Sequence, residues 1–294
     1  MNEDKAVLVT GGCGFIGSHT VEKLLAQQYR VIVLDDLSTG KRENIENFAI
    51  KMYKGDLTNE ADVSRIFHEN VVDYVIHLGA KLSVPESMTN PYIYQDTNVQ
   101  GTFNVLKFAK EYEVKKVVLA STCAVEGNSY YGLSKKITED IANWFTQNFN
   151  LKTTCLRYVN VYGERQAVVG EGAVVPAFIK VLLKKETPII HGDGLQTRDF
   201  VYVKDVADAN IHAMTSEFTG YSYIATGKET SILDLLKTLQ ALLEVYCATE
   251  FKPRREGDMM SVGYHYPDSK FGWEPKVALK EGLINTIEWL KKRV

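Results

Sequence analysis

Thr122, Tyr131 and Lys135 lie inside one short stretch, Ser121 to Lys135, reading STCAVEGNSYYGLSK, and supply a hydroxyl, a phenol and an ammonium. Lys135 follows Tyr131 by four residues, so on a helix both side chains project from one face. A cation held there favours the phenolate. An ordinary tyrosine titrates near ~10, and adjacent positive charge lowers that value toward the range in which a phenol acts as a base. The trio can therefore move a proton on an alcohol or sugar hydroxyl. Its Y-x-x-x-K spacing is weak by itself, because among 16 tyrosines about one such match arises by chance. The competing explanation is an exposed Tyr–Lys pair on a helix, and the surrounding elements must decide.

The deciding context is at the amino terminus. Ala6-Val7-Leu8-Val9-Thr10 is a short apolar, β-branched run, Gly11-Gly12-Cys13-Gly14-Phe15-Ile16-Gly17 follows at once, and Ser18 to Leu25 has helical periodicity. The pattern is strand, glycine turn, helix. Gly11, Gly14 and Gly17 are spaced so that the backbone can turn tightly, approach a pyrophosphate and pack helix on strand. The next apolar run, Arg30 to Leu34, ends in Asp35, close to the spacing of about 20 residues expected for an acid on the adenosine ribose. A carboxylate there repels a 2′-phosphate, which favours NAD over NADP, although Lys41 and Arg42 lie nearby. The alternative is an ordinary strand–helix turn.

With 294 residues the chain can bury a large core, as one extended domain or two lobes. A net charge of −3, from 34 basic and 37 acidic residues, leaves no footprint for nucleic acid or an anionic membrane. Cys13, Cys123, Cys155 and Cys247 show neither metal-ligand spacing nor disulfide-like clustering. The histidines, His19, His68, His77, His191, His212 and His265, are scattered without ligand spacing, so no metal is expected. Residues 1–5 lead straight into the first strand, and no apolar run approaches membrane-spanning length, so a cytoplasmic protein is expected.

Strand-like and helix-like segments alternate through the first half, which points to a doubly wound parallel sheet of the α/β class. Val72 to His77 and Lys116 to Ala120 read as strands, with a helix over Asn98 to Tyr112 between them. Gly11, Asp35, Asp56, His77 and Thr122 then follow strand ends, where ligands of such sheets bind. The second half mixes short strands and helices. Arg198 and Arg255 could clamp a diphosphate with bidentate hydrogen bonds; equally, each could pair with its neighbour, Asp199 or Asp258. An amphipathic helix near Leu279 to Leu290 closes the chain.

Taken together, TGGCGFIGSH from Thr10, VIVLDDLSTG from Val31, KGDL from Lys54, VIHLGA from Val75, NVQGT from Asn98, YGLSK from Tyr131, RYVNVYGERQ from Arg157, GDGLQTRDFVYVKDV from Gly192 and REGD from Arg255 resemble the extended short-chain dehydrogenase/reductase family. Within it the chain is similar to nucleotide-sugar enzymes of the UDP-glucose 4-epimerase type. The resemblance covers nearly the whole chain. It implies a Rossmann-type NAD domain over residues 1–160 and a smaller mixed α/β lobe over 161–294 for the UDP-sugar, with some chain crossing back to complete the first domain. It also implies a homodimer. Thr122, Tyr131 and Lys135 match its catalytic positions. Gly11, Gly14, Phe15, Ile16, Gly17, Asp35, Asp56, Leu57, Leu78, Ala80, Asn98, Tyr131, Lys135 and Tyr158 match cofactor positions, and Thr122, Asn160, Arg198, Arg255 and Asp258 match substrate positions.

The resemblance further implies 4-epimerisation through a transient 4-keto sugar, of UDP-glucose and UDP-galactose or their N-acetyl forms. Two alternatives stay open: a dehydratase forming a 4-keto or 5,6-ene sugar, and a catalytically silent NAD-binding sensor. In dehydratases of the family an Asp-Glu pair follows the catalytic Thr, and decarboxylases keep the Glu; here Cys123 and Ala124 stand there. Ala124 cannot take a proton from C5, which argues for plain epimerisation. Cys123 is a packing residue or a weak acid near C6. The segment between Thr122 and Tyr131 is shorter than the family's, and Glu126 replaces its Tyr, either as a further acid–base group or as a solvated carboxylate. A second shortened stretch runs from Tyr266 to Trp273, and Val262 falls where side-chain size admits or excludes a 2-acetamido group.

Overall fold

The computed structural model describes residues 2–168, 173–254 and 271–293. In chain order its elements are β1 (Ala6–Thr10), α1 (Phe15–Ala26), β2 (Arg30–Asp35), β3 (Lys51–Lys54), α2 (Glu60–Glu69), β4 (Tyr74–His77), α3 (Val84–Thr89), α4 (Pro91–Tyr94), α5 (Gly101–Glu111), β5 (Lys116–Thr122), α6 (Tyr130–Phe149), β6 (Thr153–Tyr158), β7 (Asn160–Tyr162), α7 (Val174–Leu183), β8 (Ile189–His191), β9 (Thr197–Tyr202), α8 (Val203–Thr215), β10 (Gly220–Ile224), β11 (Glu229–Ser231), α9 (Ile232–Leu243), β12 (Glu250–Lys252) and α10 (Leu279–Lys291).

Strands buried on both faces read as unbroken apolar runs, and β1, every residue of which is buried, is the clearest case. It pairs in parallel with β2 on one side and β4 on the other. The complete sheet has the order β10-β6-β5-β4-β1-β2-β3, every neighbouring pair parallel. This is a Rossmann-like α/β fold. Successive strands are added outward on one side from β1 to β3 and on the other side from β4 onward, which puts the glycine turn after β1 at the crevice where such sheets bind ligands. Ile66, Phe67, Val105, Leu106 and Phe108, from α2 and α5, pack with Leu8, Val75 and Val117 of the strands in the core of this unit.

Helix starts follow local chemistry. The Asn59 side chain accepts from Ala61 N–H to cap α2, and the Ser129 hydroxyl accepts from Gly132 N–H to cap α6. The helix expected over Asn98 to Tyr112 is regular only from Gly101; Gln95–Gln100 wind as a wider π-helical turn.

Two compact units are formed. The first takes Met1–Tyr158, Val206–Ile224 and a short piece ending at Trp273, so β10 is supplied from late in the chain. The second takes Val159–Asp205 and the stretches after Ile224 and after Trp273. It holds a three-stranded sheet of order β11-β9-β7 and the parallel pair β12-β8. Among the described residues no helix is long and apolar enough to cross a membrane.

Candidate active site

The turn after β1 leaves no room for a side chain at Gly11 or Gly17. Gly11 has φ +68, a left-handed conformation that costs glycine nothing. A Cβ on Gly17, at the start of α1, would lie 2.0 Å from the Gly11 carbonyl oxygen. Phe15 and Ile16, the first residues of α1, are half-buried. At the end of β2 the buried Asp35 carboxylate faces this turn: Oδ2 accepts from Cys13 N–H at 2.8 Å and Oδ1 from Leu37 N–H at 2.8 Å. Burial raises the Asp35 carboxyl above the usual range, although those N–H groups pull it back. The same burial, with Asp35 beside it, pushes the Cys13 thiol up to about 12. A glycine cradle at a helix start, next to a carboxylate with lone pairs to spare, fits a dinucleotide's pyrophosphate and ribose diol.

Across the switch point, His77 is locked between Thr10 Oγ1, 2.7 Å, and Thr102 Oγ1, 3.0 Å. Burial drives its imidazole down to about 3, with the Lys135 ammonium acting in the same sense, so it is a neutral structural group. Leu78 and Ala80 beyond it are half-buried. Leu57 packs where a Cβ on Gly79 would fall, 2.7 Å from Leu57 Cδ1. Exposed Asp56 accepts from Thr58 N–H in a local turn. Asn98 sits in the π-helical turn with its amide fully engaged. It accepts from Lys81 N–H and donates to Lys81 O and Ser134 Oγ, tying the end of β4 to α6.

Thr122 ends β5, and Tyr131 and Lys135 follow on the first turns of α6. After Thr122 the chain makes one 3-10 turn, Cys123–Glu126, in which the Thr122 hydroxyl accepts from Ala124 N–H at 3.1 Å. Only residues 127–129 separate that turn from α6. The helix packs directly on the turn, since a Cβ on Gly132 would sit 2.2 Å from the Ala124 carbonyl oxygen. The short connection thus leaves the start of α6, which carries Tyr131, packed against the turn that follows Thr122. The half-buried Tyr131 ring meets Tyr94 edge-on, centroids 6.5 Å apart, and Tyr94 is pinned by hydrogen bonds to Ser83 O and Glu86. Lys135 is buried and donates to Ala120 O at 3.0 Å. Burial pushes its ammonium down to about 8, opposed by Cys155 and Glu139. Ala124 presents only a methyl group, and Cys123 is half-buried beside it.

Glu126 leans away from solution on one side only: Tyr223 donates to it at 3.3 Å and Arg157 Nη1 lies 3.8 Å off. Behind it is a buried cluster that no sequence motif singles out. Glu139 accepts from Ser121 Oγ, 2.6 Å, and from Arg157 Nε and Nη2, 2.8 and 2.7 Å, while Arg157 Nη1 donates to Tyr223. The available signal is the spacing of Glu139, four residues after Lys135 and on its face of α6. Tyr158, beside Arg157, spends its hydroxyl on Asn210 at 2.6 Å, inside the first unit.

In the second unit Asn160 and Arg198 lie on neighbouring strands, β7 and β9, which pair in parallel with Asn160 opposite Phe200. Asn160 donates to Asp199 O, and Arg198 Nη1 to Thr197 O. The Asp199 carboxylate accepts from Thr226 and from Gly227 N–H. Arg255, Asp258 and Val262, with most of the stretch from Tyr266, lie outside the described residues. No cluster of His, Cys, Asp and Glu that could hold a metal ion occurs among the described residues.

A doubly wound sheet with this glycine turn and a Tyr–Lys helix face defines a nucleotide-dependent α/β enzyme class, and sequence comparison makes it specific. The chain belongs to the NAD dependent epimerase/dehydratase family, which it matches over residues 7–224. It is 39% identical to a putative UDP-glucose 4-epimerase of Methanocaldococcus jannaschii, over 97% of this chain and 98% of that protein. Among solved structures it is similar to the UDP-glucose 4-epimerase of Thermotoga maritima with UDP-glucose (TM-score 0.92, 38% identity, covering 98% and 99% of the two chains). It is also similar to the UDP-N-acetylglucosamine 4-epimerase of Methanobrevibacter ruminantium in complex with UDP-N-acetylmuramic acid (TM-score 0.93, 34% identity, 99% and 100%).

Proposed function

We propose that this protein is an NAD-dependent UDP-sugar 4-epimerase, interconverting UDP-glucose and UDP-galactose or their N-acetyl forms through a transient 4-keto sugar. The observation that carries the reading is the packing of α6 on the turn after Thr122, with Tyr131 and Lys135 on one face of that helix.

NAD would be held by Gly11, Gly14, Phe15, Ile16 and Gly17 at the pyrophosphate, Asp35 at the adenosine ribose, Asp56 and Leu57 near the adenine, and Lys135 at the nicotinamide ribose. Leu78, Ala80, Asn98 and Tyr158 would line its path, Asn98 also holding the loop after β4 through Lys81. Bound NAD would supply the hydride acceptor for C4 and the donor that reduces the 4-keto sugar on its opposite face. Tyr131, as phenolate, takes the C4 hydroxyl proton and later gives it back, Thr122 hydrogen-bonds the same oxygen, and the Lys135 ammonium favours the phenolate. Asn160, Arg198, Arg255 and Asp258 would hold the uridine diphosphate. With a methyl at Ala124, no side chain there takes the C5 proton, so water is not lost.

The working unit would be a homodimer. Leu133, Trp144 and Phe149 of α6 and Phe103 of α5 are exposed, and Trp144 stacks edge-on against Phe149 and Phe145, an apolar face suited to a second copy. Four free thiols suit a reducing cytoplasm.

Incubation with UDP-glucose and with UDP-N-acetylglucosamine, without added reductant, should give C4 epimers of unchanged mass by NMR and mass spectrometry. Tyr131→Phe should lower turnover by ~10²–10⁴. A product lighter by one water would replace epimerase with dehydratase. No product from either sugar, with NAD bound, would leave the silent sensor.

A further inference from the structure

The buried cluster behind Thr122 takes no direct part in the proton and hydride transfers, yet it reaches every element that carries them. Glu139 lies one helical turn beyond Lys135 and two beyond Tyr131, on the same face of α6. Its carboxylate is buried and takes three donors: the Ser121 hydroxyl of β5 at 2.6 Å and two guanidinium nitrogens of Arg157 of β6 at 2.8 and 2.7 Å. Arg157 is itself clamped, with its guanidinium carbon 3.9 Å from the centre of the Tyr221 ring and Nη1 on the Tyr223 hydroxyl. Lys135 reaches Ala120 O. Two residues of one helix face thus grip two successive residues of β5, and the next residue is Thr122.

We propose that Glu139 is a positioning residue for the reaction, fixing α6 in register with the end of β5 and supplying the negative charge that the buried Lys135 ammonium faces. The inference rests on the assignment of Tyr131 and Lys135 as base and partner cation. Among the described residues, the groups that interact electrostatically with Lys135 are His77 from β4, neutral, Cys155 from β6, its thiol pushed up by burial, and Glu139 from its own helix, which also holds the Arg157 guanidinium. Of these, Cys155 and Glu139 act in favour of the ammonium, and Glu139 is the carboxylate of the two. Its second partner, Arg157, completes a fork-to-fork pair that holds the carboxylate in place, as bidentate guanidinium–carboxylate contacts do. Without the carboxylate, Lys135 gives up its proton more readily, and the Tyr131 phenolate loses the cation beside it.

The test compares Glu139→Gln and Glu139→Asp with the parent and with Tyr131→Phe, all as NAD-bound enzymes. Turnover and KM are measured on UDP-glucose, and the near-ultraviolet phenolate band is titrated, the Tyr131 contribution being the part lost in Tyr131→Phe. For Glu139→Gln the expectation is at least a tenfold fall in kcat with KM changed less than twofold, and a Tyr131 phenolate midpoint moved to higher pH. Glu139→Asp should recover the midpoint and part of kcat, and it carries the test if the Gln variant does not fold. An unchanged phenolate midpoint in Glu139→Gln, or a loss that Glu139→Asp does not recover, overturns the proposal. If the parent itself turns over no UDP-sugar, the epimerase reading fails, while the phenolate titration still decides the role of Glu139.

Discussion

Lys135 and Glu139, one turn apart on α6, bind successive residues of β5: the ammonium donates to Ala120 O at 3.0 Å, and the carboxylate accepts from the Ser121 hydroxyl at 2.6 Å. The helix that carries the proposed base is thereby indexed to the strand that carries Thr122. Its amino-terminal end is indexed a second time by contact with the turn Cys123–Glu126.

The second contact makes Gly132 a sensitive position. The atom a new Cβ would meet, at 2.2 Å, is the backbone oxygen of Ala124, which no rotamer change can move. Gly132→Ala must lift α6 from the turn and so move Tyr131 relative to Thr122. Overpacking of this kind costs about 1–3 kcal/mol, and a displacement of about 1 Å at a reacting group can cost ~10² in rate. The expected outcome is a loss of kcat with NAD still bound, seen in product assays together with the absorbance of bound nicotinamide. Full activity in Gly132→Ala would show that Tyr131 does not depend on this contact.

At the cofactor cradle, Asp35 and Gly17 should act differently. Asp35→Ala removes a carboxylate that organises the Cys13 and Leu37 N–H groups and would accept from the ribose. A hydrogen bond to a charged group contributes about 1.5–3 kcal/mol, so NAD affinity should fall about tenfold to a hundredfold. Discrimination against NADP should narrow as well. Gly17→Ala puts a methyl 2.0 Å from Gly11 O and should prevent formation of the cradle, and with it NAD retention. Isothermal titration of the stripped protein with NAD and NADP measures both effects.

The cradle and the start of α6 are also the parts most legible in the chain itself. The glycine turn, Asp35 and the Tyr131–Lys135 pair are local patterns, each set by the period of a single strand or helix, and the parallel sheet follows from their alternation. The Glu139 cluster is not local. Ser121, Glu139, Arg157 and Tyr223 come from β5, α6, β6 and β10, and only the parallel pairings β5–β6 and β6–β10 put them side by side. The wide turn at Gln95–Gln100 is hidden for a related reason. With Val99 as its one apolar residue it shows no period of its own, while the buried Asn98 amide is committed to Lys81 and Ser134. His77 can be seen to end a strand, but its neutrality depends on burial and on the Lys135 ammonium, both set by the packing that also places Thr10 and Thr102 on its ring nitrogens.

That neutrality sets an acid limit on the fold. In the folded protein the His77 imidazole is down at about 3, whereas in the unfolded chain it titrates near ~6.5. Between those values the unfolded chain binds the extra proton, so stability falls as pH drops through that window and is untouched by His77 above it. Urea midpoints taken from neutral pH downward should decline below about pH 6.5, and His77→Gln should flatten that decline at some cost in stability at neutral pH. A decline of equal slope in the variant would assign it to other groups.

The proposed dimer makes the α5–α6 face a further test. Trp144 is 49% exposed and its ring centre lies 5.0 Å from that of Phe149, while Phe103 of α5 meets Phe145 at 5.8 Å. Aromatic side chains grouped in this way are the residues that dominate binding energy when a partner covers them, and a two-fold axis lets one face cover its own copy. Trp144→Glu places a charge in the centre of that patch at a half-exposed position and leaves the buried residues of α6 unchanged. Sedimentation velocity at micromolar concentration should show a dimer for the parent and a monomer for Trp144→Glu, with the far-ultraviolet circular dichroism of the two unchanged. A parent that sediments as a monomer removes the homodimer from the proposal; a variant that remains dimeric moves the interface to another face.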